Sequence, residues 1–581
     1  MLTGPLLDRA LLTVPRSPNH FLLRVGYIGA VCALLWTAHH ITFGLKPATG
    51  IGDLARFGSF LFSLLTGIQL TIVIAGALLL SAGSVAAEKD RRTLILLLMT
   101  DLRASELVIG KALGSLLSIF TLILLGVPIL AALTQLGGIS LAQILWAQLL
   151  CLSAALAAAA WGTLVAYWRE KTFQTLAITV LGSGLFLGTM ETIVALAGSG
   201  STLGVICGGL NPFRTLAELV DPLAAQPLST APQVSAWYSV VGLTVLSALL
   251  FGFTAWRVRY WNPSRSIHIQ TEEETLEEAA DLSPAPARVA RPVWELPLLW
   301  REICTEAYGR KVGVIKGAYL IFLLFCLLWV AQSGVDAELL LGSLSPAGAA
   351  FVGLSLISLL LVNAQAVTAL TSERDGQTLE LLLVTEVSAR EFIFSKLGGV
   401  LYNVKEVVAV PLLFAVNLWL RGGLTGEAFL FTVIGYLTLV CFAAMLGLHA
   451  GLSYESSRAA ILNSLGTMFF LFVGIFVCIV LIVEARASYE MQFVPFLTFI
   501  VGGSMALWVS LTRKNPSTAL QISATTLPFL TFYAISSFLL GHSLPVLLAV
   551  VATYGFTTVA MLVPAISSFD VAFGRASADR G

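Results

Sequence analysis

Charged residues are scarce in this sequence, because Asp, Glu, Lys and Arg together make up 11% of its 581 residues. A soluble chain usually contains about 25% of them. Several soluble domains of this combined length would need far more polar surface than these side chains supply. The composition therefore excludes a cytosolic enzyme and a disordered chain. The net charge of zero argues against a basic surface for nucleic acid.

Motifs for catalysis, metal binding and nucleotide binding are also missing. The seven cysteines form no C-x-x-C and mostly lie in apolar runs, which favours buried thiols over a disulfide framework or a zinc site. The chain contains no H-E-x-x-H, no G-x-S-x-G and no G-x-x-x-x-G-K-[ST]. We therefore expect no catalytic residue, no metal and no cofactor on this chain.

Long apolar runs are what the sequence has in abundance, with 57% hydrophobic residues. A membrane helix needs about 20 mostly apolar residues, because it must satisfy its own backbone polar groups. The runs give six spans before residue 260 and six to eight after it, with one pair in 485–541 that could be short or re-entrant. The sequence predicts an all-α polytopic membrane protein, a helical bundle with about 12–14 transmembrane helices.

Lys and Arg are distributed unevenly between the two sides of such a bundle. With the N-terminus in the cytoplasm, the outer side holds five of the 33 basic residues, namely Lys46, Arg56, Arg214, Arg421 and Arg486. The other 28 lie on the cytoplasmic side or at its boundary. Because basic residues are retained in the cytoplasm, this orientation is favoured, with both termini cytoplasmic.

A polar segment recurs 285 residues further along the chain. Residues 88–114 and 373–399 are identical at 12 of 27 positions, and apolar composition cannot explain the charged and threonine matches. These are Glu88/Glu373, Asp90/Asp375, Thr93/Thr378, Thr100/Thr385, Glu106/Glu391 and Lys111/Lys396. Gly162/Gly447 follows the same offset, and a shorter match relates 5–13 to 297–305. We therefore predict a tandem duplication, in which each half has an even number of spans.

The duplication divides the chain into three parts. Residues 1–260 form the first half, with about six spans, and 294–581 form the second half, with six to eight. Between them, 261–293 contains a run of acidic residues followed by Ser283-Pro-Ala-Pro, which is typical of a solvated cytoplasmic linker. The Trp294–Ile303 stretch after it has the pattern of an amphipathic helix at the membrane interface.

Each repeated segment is predicted to form a cytoplasmic helix–turn–helix element. Leu94, Leu97 and Leu98 fall on one helical face, and the same spacing recurs in the second copy. Ser388 and Glu391 fit a capping box at the start of the second helix, whereas Arg103 occupies the Ser position in the first copy. Such an element can pack beneath the spans and present charged ends to a partner.

The motif Glu-x-x-x-x-Thr-Leu-x-Leu-Leu-Leu-x-Thr, followed by Glu and Lys-x-x-Gly, resembles the cytoplasmic motif of the ABC type 2 permease family. These are membrane subunits of ATP-binding-cassette exporters. The Pro-Leu-Leu-x-Arg start of each half resembles their membrane-surface connecting helix. The resemblance covers both halves and is strongest in the two loops. One departure is that Arg92 and Gln377 stand where the family usually has Gly before the motif Thr.

The resemblance implies that the repeated segments form the gate and coupling helices that contact a separate ATPase. The candidate coupling residues are Glu88, Asp90, Thr93, Thr100, Glu106, Lys111, Glu373, Asp375, Thr378, Thr385, Glu391 and Lys396. The chain would then be a permease that moves a substrate across a bacterial plasma (inner) membrane. Two ATPase copies would bind ATP and magnesium beneath the loops, and no nucleic acid would be involved.

Two other function classes stay open from the sequence, an ion-gradient-driven secondary transporter and a membrane scaffold without transport. Glu191 bears on the first, because a carboxylate within a span costs about 2.5–3.5 kcal/mol and must face a partner or a wet cavity. It could be a substrate or proton site, or a structural hydrogen-bonding residue. Gln69, Asn363 and Gln365 are expected to form hydrogen bonds between helices.

Overall fold

A computed structural model describes residues 4–44, 50–198, 201–220, 236–262, 294–304, 312–332, 344–383, 387–485, 489–512 and 517–567. Among these residues, thirteen helices are long and apolar enough to cross a membrane, or fourteen when one bent pair is counted as a span. The prediction of an all-α polytopic membrane protein is therefore confirmed. Nearly all of the predicted linker at 261–293 lies outside the described residues.

The first half contains six candidate spans and four shorter helices. Its helices are α1 (Gly4–Thr13), α2 (Pro18–Phe43), α3 (Ile51–Asp90), α4 (Thr93–Leu98), α5 (Ala104–Leu133), α6 (Leu141–Trp168), α7 (Thr172–Ala197), α8 (Thr202–Gly209), α9 (Pro212–Val220) and α10 (Ala236–Trp261). The six spans are α2, α3, α5, α6, α7 and α10. The count agrees with the charge-free runs of the sequence.

The second half follows the same order but has two further spans. Its described helices are α11 (Pro297–Cys304), α12 (Val312–Gln332), α13 (Pro346–Asp375), α14 (Thr378–Leu383), α15 (Ala389–Asn403), α16 (Lys405–Leu420), α17 (Gly426–Ser453), α18 (Ser457–Ala485), α19 (Tyr489–Thr512), α20 (Thr518–Leu539) and α21 (Ser543–Ser567). Helices α15 and α16 form the bent pair, with an angle of 55° between them.

Equivalent glycines mark the crossing of the second and fourth spans in each half. A Cβ atom on Gly162 of α6 would lie 2.9 Å from the Leu78 carbonyl oxygen of α3, and one on Gly447 of α17 would lie 2.7 Å from the Asn363 carbonyl oxygen of α13. Positions 78 and 363 are themselves 285 residues apart. The backbones approach so closely that only glycine fits at either position.

The extra pair in the second half consists of two full-length helices, α19 with 24 residues and α20 with 22. Both copies place their last span, α10 or α21, against the fourth span, α6 or α17. The first half connects its fifth and last spans through the short helices α8 and α9, and the second half uses α19 and α20 instead. The pair predicted in 485–541 is therefore an insertion before the last span.

The insertion makes the two contacts between the halves unequal. We call these contacts seams. At one seam, α7 packs directly against α12 and α13. At the other, α18 packs against α3, but α2 packs mainly against the inserted α19, and the Thr37 hydroxyl donates to the Pro495 carbonyl at 3.3 Å. The two-fold relationship of the repeat is broken at this second seam.

The polar residues inside the spans have different surroundings. Gln69 and Gln148 exchange two hydrogen bonds of 3.1 Å between α3 and α6. Asn363 donates to the Ala443 carbonyl at 2.9 Å and accepts from the Ser464 hydroxyl at 2.8 Å. These contacts confirm the interhelical role expected for Gln69 and Asn363. Gln365 is fully buried without a hydrogen-bond partner for its amide among the described residues, so that expectation is wrong for it.

Candidate functional site

The repeated segments form two hairpins, which we call the first hairpin (88–111) and the second hairpin (373–396). Each begins with a turn at which the backbone adopts a left-handed conformation, with φ of 58° at Arg92 and 57° at Gln377. Within the described ranges, no other residue except glycine has a positive φ. The turn typical of glycine is therefore present, although neither position is glycine.

The threonine that follows this turn closes it in both copies. The Thr93 hydroxyl donates to the Glu88 carbonyl at 3.3 Å, and the Thr378 hydroxyl donates to the Glu373 carbonyl at 3.2 Å. The bond ties the start of α4 or α14 to the end of the preceding span. In both hairpins the repeated threonine therefore has a local structural task.

An ion pair joins the two ends of each hairpin. The Lys111 ammonium contacts the Glu88 carboxylate in the first hairpin. In the second, the Lys396 Nζ atom lies 2.7 Å from the Glu373 Oε1 atom. Because the repeat preserves both partners, the glutamate and lysine of the motif fix the end of the second span against the start of the third.

The second hairpin contains a larger charged cluster than the first. Glu302 of α11 lies 2.7 Å from the Lys396 ammonium (Oε1 to Nζ), and Arg301 contacts the carboxylates of both Glu302 and Glu373. The side chains of Lys396 and Glu302 are each only 3% exposed. At the 292-residue offset, Ala10 occupies the position of Glu302. The first hairpin consequently has one carboxylate where the second has two.

A glycine lets the connecting helix approach the hairpin in both halves. A Cβ atom on Gly399 would lie 2.6 Å from the Glu302 Cβ atom, and one on Gly114 would lie 3.1 Å from the Ala10 Cβ atom. These glycines end the Lys-x-x-Gly part of the motif. Helices α11 and α1 therefore cross α15 and α5 at equivalent points.

The ionisation of Glu302 depends on this cluster. Burial alone would raise its pKa, but the charges and hydrogen bonds of Lys396 and Arg301 outweigh burial and hold the pKa below its usual range. The carboxylate is therefore ionised at neutral pH. Counting the described residues, two anions and two cations then balance in this cluster.

Two basic residues of different type occupy equivalent positions in the two halves, and a comparison of identical residues alone does not find them. Lys89 donates to the carbonyls of Tyr167 and Arg169 at 2.6 and 2.9 Å. Arg374, which is 285 residues later, donates to the Gly451 carbonyl at 2.6 Å and also contacts the Tyr454 carbonyl. Both cations cap the carboxyl end of the fourth span, where unpaired carbonyls attract positive charge. The shared offset and charge were the available signal.

The two hairpins meet where their second spans end. Asp90 accepts a hydrogen bond from the Thr172 hydroxyl at the start of α7. Arg91 of the first half reaches across to Asp375 of the second half, with 3.6 Å between Nε and Oδ1. The repeated aspartates therefore lie at the junction between the halves, and the ends of the two second spans are in contact.

The short helix α4 has a buried side and an exposed side. Leu94 is 2% exposed, as the predicted apolar face requires, whereas Ile95, Leu96 and Met99 are 42%, 65% and 72% exposed. Leu379 of α14, which corresponds to Leu94, is 4% exposed. The first hairpin thus presents three large apolar side chains on a surface that the sequence alone did not single out.

The remaining candidate coupling residues cap helices. The Thr100 hydroxyl donates to the Leu97 carbonyl at 2.6 Å, and Glu106 accepts from the Arg103 backbone amide at 3.2 Å. In the second hairpin, Ser388 accepts from the Glu391 backbone amide at 3.2 Å, which confirms it as the N-cap. Thr385 lies outside the described residues.

Glu191 lies far from the hairpin motifs, in the last third of α7. It accepts hydrogen bonds from the Asn211 amide at 2.7 Å and from Arg214 at 3.1 Å. Its side chain is 46% exposed. The hydrogen bonds of the carboxylate agree with a structural role, and its exposure agrees with a substrate or proton site, so both alternatives stay open.

In the part of the chain that is described, no group of three His, Cys, Asp or Glu side chains lies close enough together to bind a metal ion.

Comparison with protein-family models gives no match for this chain, and neither does a search of curated proteins.

Proposed function

We propose that this chain is the membrane subunit of an ATP-binding-cassette exporter of the ABC type 2 kind, with two permease halves fused in tandem. The proposal rests on the resemblance of the repeated motif. It is supported by the geometry of the hairpins, because turn, threonine bond and ion pair recur at the same positions in both halves. A force applied to either hairpin would pass directly to the second and third spans.

The observation that carries the proposal is that charged side chains of the first hairpin are paired with each other, whereas large apolar side chains are exposed. The repeated Glu88 and Lys111 are engaged with each other. Ile95, Leu96 and Met99 are left exposed on α4. Exposed apolar patches of this kind bind another protein or contact the membrane, and the proposal takes the first of these. In this proposal the charged motif residues hold the hairpin rigid, and the apolar side of α4 contacts the ATPase.

The remaining features of the proposal concern location and partners. The chain lies in a bacterial plasma (inner) membrane with both termini and both hairpins in the cytoplasm, as the Lys/Arg distribution favours. Two ATPase copies bind ATP and magnesium, one beneath each hairpin. Closure of the ATPases moves the hairpins together, and rigid-body motion of the halves switches the central path between inward and outward access.

The test is co-purification with an ATPase encoded beside this gene. Leu96→Glu places a charge on the apolar side of α4 and should abolish co-purification. Leu12→Glu on α1 is the matched control, since Leu12 is 62% exposed, and it should retain the ATPase. Retention of the ATPase by a folded Leu96→Glu variant would contradict the assigned surface.

A second experiment addresses coupling itself. Charge reversal at Glu88 and Glu373 should uncouple ATP hydrolysis from transport, because each carboxylate holds the lysine of its hairpin. Reversing Lys111 as well should restore part of the coupling through the first hairpin, since its pair with residue 88 would form with opposite polarity. Reversing Lys396 should not rescue the second hairpin, because the new carboxylate would lie beside Glu302. Unchanged transport after reversal of both glutamates alone would remove them from the coupling role.

The ion-gradient alternative depends on Glu191. A proton-coupled site needs a carboxylate that changes its charge, and Glu191 already has Arg214 and Asn211 as partners. Transport that continues without ATP and stops with Glu191→Gln would favour this alternative. Loss of transport on removing the ATPase would favour the exporter, and a chain that transports nothing under either condition would be a scaffold.

A further inference from the structure

Two apolar cavities occupy equivalent places in the two halves. The first has a volume of about 330 Å³ and lies among α3, α6, α7 and α10. The second, of about 210 Å³, lies among α13, α17, α18, α20 and α21. Six of their wall positions correspond at the 285-residue offset. These are Ile74/Leu359, Ala154/Leu439, Ala157/Phe442, Ser183/Met468, Phe186/Leu471 and Leu187/Phe472.

At three of these positions the first cavity has a much smaller side chain than the second. Ala154 and Ala157 of α6 correspond to Leu439 and Phe442 of α17, and Ser183 of α7 corresponds to Met468 of α18. The inserted helix α20 adds further side chains to the second cavity. The first cavity is therefore the larger of the two, although equivalent helices of the repeat form both.

The polar groups in the first cavity are already satisfied by the protein. The Trp161 indole donates to the Thr179 carbonyl at 3.1 Å. The hydroxyls of Ser183 and Thr189 donate to carbonyls of their own helix at 2.7 and 2.6 Å. These three donors are all used within the protein and the rest of the wall is mostly apolar, so the cavity has few of the two to four polar partners that an ordered water needs. Its walls suit a hydrocarbon, which the surrounding bilayer contains.

A polar group lies close along the chain to two wall residues of this cavity. Thr189 and Pro212 belong to its walls. Just beyond them along the chain lie Glu191 and Asn211, which are hydrogen-bonded to each other. Arg214 completes this polar group through its bond to Glu191. A molecule with a hydrocarbon tail in the cavity would place its head where both signs of charge and an amide are available.

We propose that the first-half cavity binds the hydrocarbon chain of an amphiphile, with its polar head beside Glu191, Asn211 and Arg214. This site lies within one half and not between the halves. It is independent of the exporter proposal, because binding there needs neither an ATPase nor movement of the hairpins.

The experiment measures quenching of Trp161 fluorescence in the purified full-length protein. The Trp161 signal is the difference between wild type and Trp161→Phe, both reconstituted in nanodiscs. One arm uses phosphatidylcholine with dibrominated chains, and the other uses unbrominated lipid titrated with ω-bromododecanoic acid. Quenching in the first arm identifies a bilayer lipid as the source, and saturable quenching in the second identifies a free amphiphile.

The variants replace single wall residues of one cavity with the corresponding residues of the other. Ala157→Phe and Ala154→Leu introduce the second-half residues and should abolish quenching of Trp161. Phe442→Ala enlarges the other cavity and should leave that quenching unchanged. Gel filtration and the melting temperature show whether each variant is folded. If Ala157→Phe does not fold, the result for Ala154→Leu is used instead. Absence of Trp161 quenching in both arms, or full quenching in a folded filled variant, would overturn the proposal.

Discussion

Arg91 of the first half lies 3.6 Å from Asp375 of the second half, measured between Nε and Oδ1. The reciprocal contact with Asp90 cannot form, because Gly376 occupies the position that corresponds to Arg91. The Arg91 side chain is 50% exposed, so solvent screens the pair. A double-mutant cycle of Arg91→Ala and Asp375→Ala, followed by denaturation, should give a coupling energy below about 1 kcal/mol. A coupling of several kcal/mol would make this pair a main connection between the halves.

The left-handed turn at Arg92 leads to a stabilising substitution. Arg92→Gly should raise the melting temperature, because glycine adopts this conformation without the strain of about 1 kcal/mol that other residues bear. Met99→Gly is the matched control, since Met99 also directly follows a helix, has a φ of −82° and is exposed, so glycine there only adds flexibility. If both variants lower the melting temperature equally, the turn is not strained in the folded protein.

The two hairpin lysines should differ in importance. Lys396→Met removes the ammonium that contacts the buried Glu302 and Glu373 and leaves Arg301 as their other cation within the described ranges; loss of a buried partner costs about 3–5 kcal/mol. Lys111→Met leaves Glu88 without this cation, but the Glu88 side chain is 29% exposed and the charge repulsion between Lys111 and Arg458 is removed, so the variant should cost less. Thermal unfolding of both variants in detergent measures the difference. Equal losses would mean that the additional carboxylate of the second hairpin has no energetic role.

The depressed pKa of Glu302 predicts acid sensitivity. A carboxyl with a lower pKa in the folded state than in the unfolded state stabilises the protein above its ordinary pKa of 4.5. That contribution is lost as the pH falls through the folded-state pKa. The melting temperature should therefore drop less steeply below about pH 4.5 in Glu302→Gln than in wild type. Asp101→Asn, an exposed change in the first hairpin, should follow the wild-type profile.

The spans could be predicted because the bilayer allows few alternatives. A run of about 20 apolar residues must form a helix, and the spans around Gly162 and Gly447 lie in charge-free or nearly charge-free runs. The existence of two helices in 485–541 followed from composition. The packing of α19 against α2 did not, because lipid-facing and helix-facing apolar side chains look alike in a sequence.

The hairpins were only partly predictable for a similar reason. Identity between the copies singled out Glu88, Lys111 and their partners, but it could not distinguish residues that hold a hairpin from residues that contact another protein. Lys89 and Arg374 were overlooked because they share a charge and not an identity. The contact of Arg91 with Asp375 depends on how the halves pack, which no local pattern contains.

The inserted helices α19 and α20 have a consequence for how this molecule can evolve. In a perfect duplicate, every substitution would face the same neighbours in either copy, and the copies would tolerate the same changes. Once α19 stands beside α2, and α20 borders only one cavity, matching positions have different neighbours. Selection can then act on each copy separately, and a fused chain can specialise in ways closed to an assembly of identical subunits.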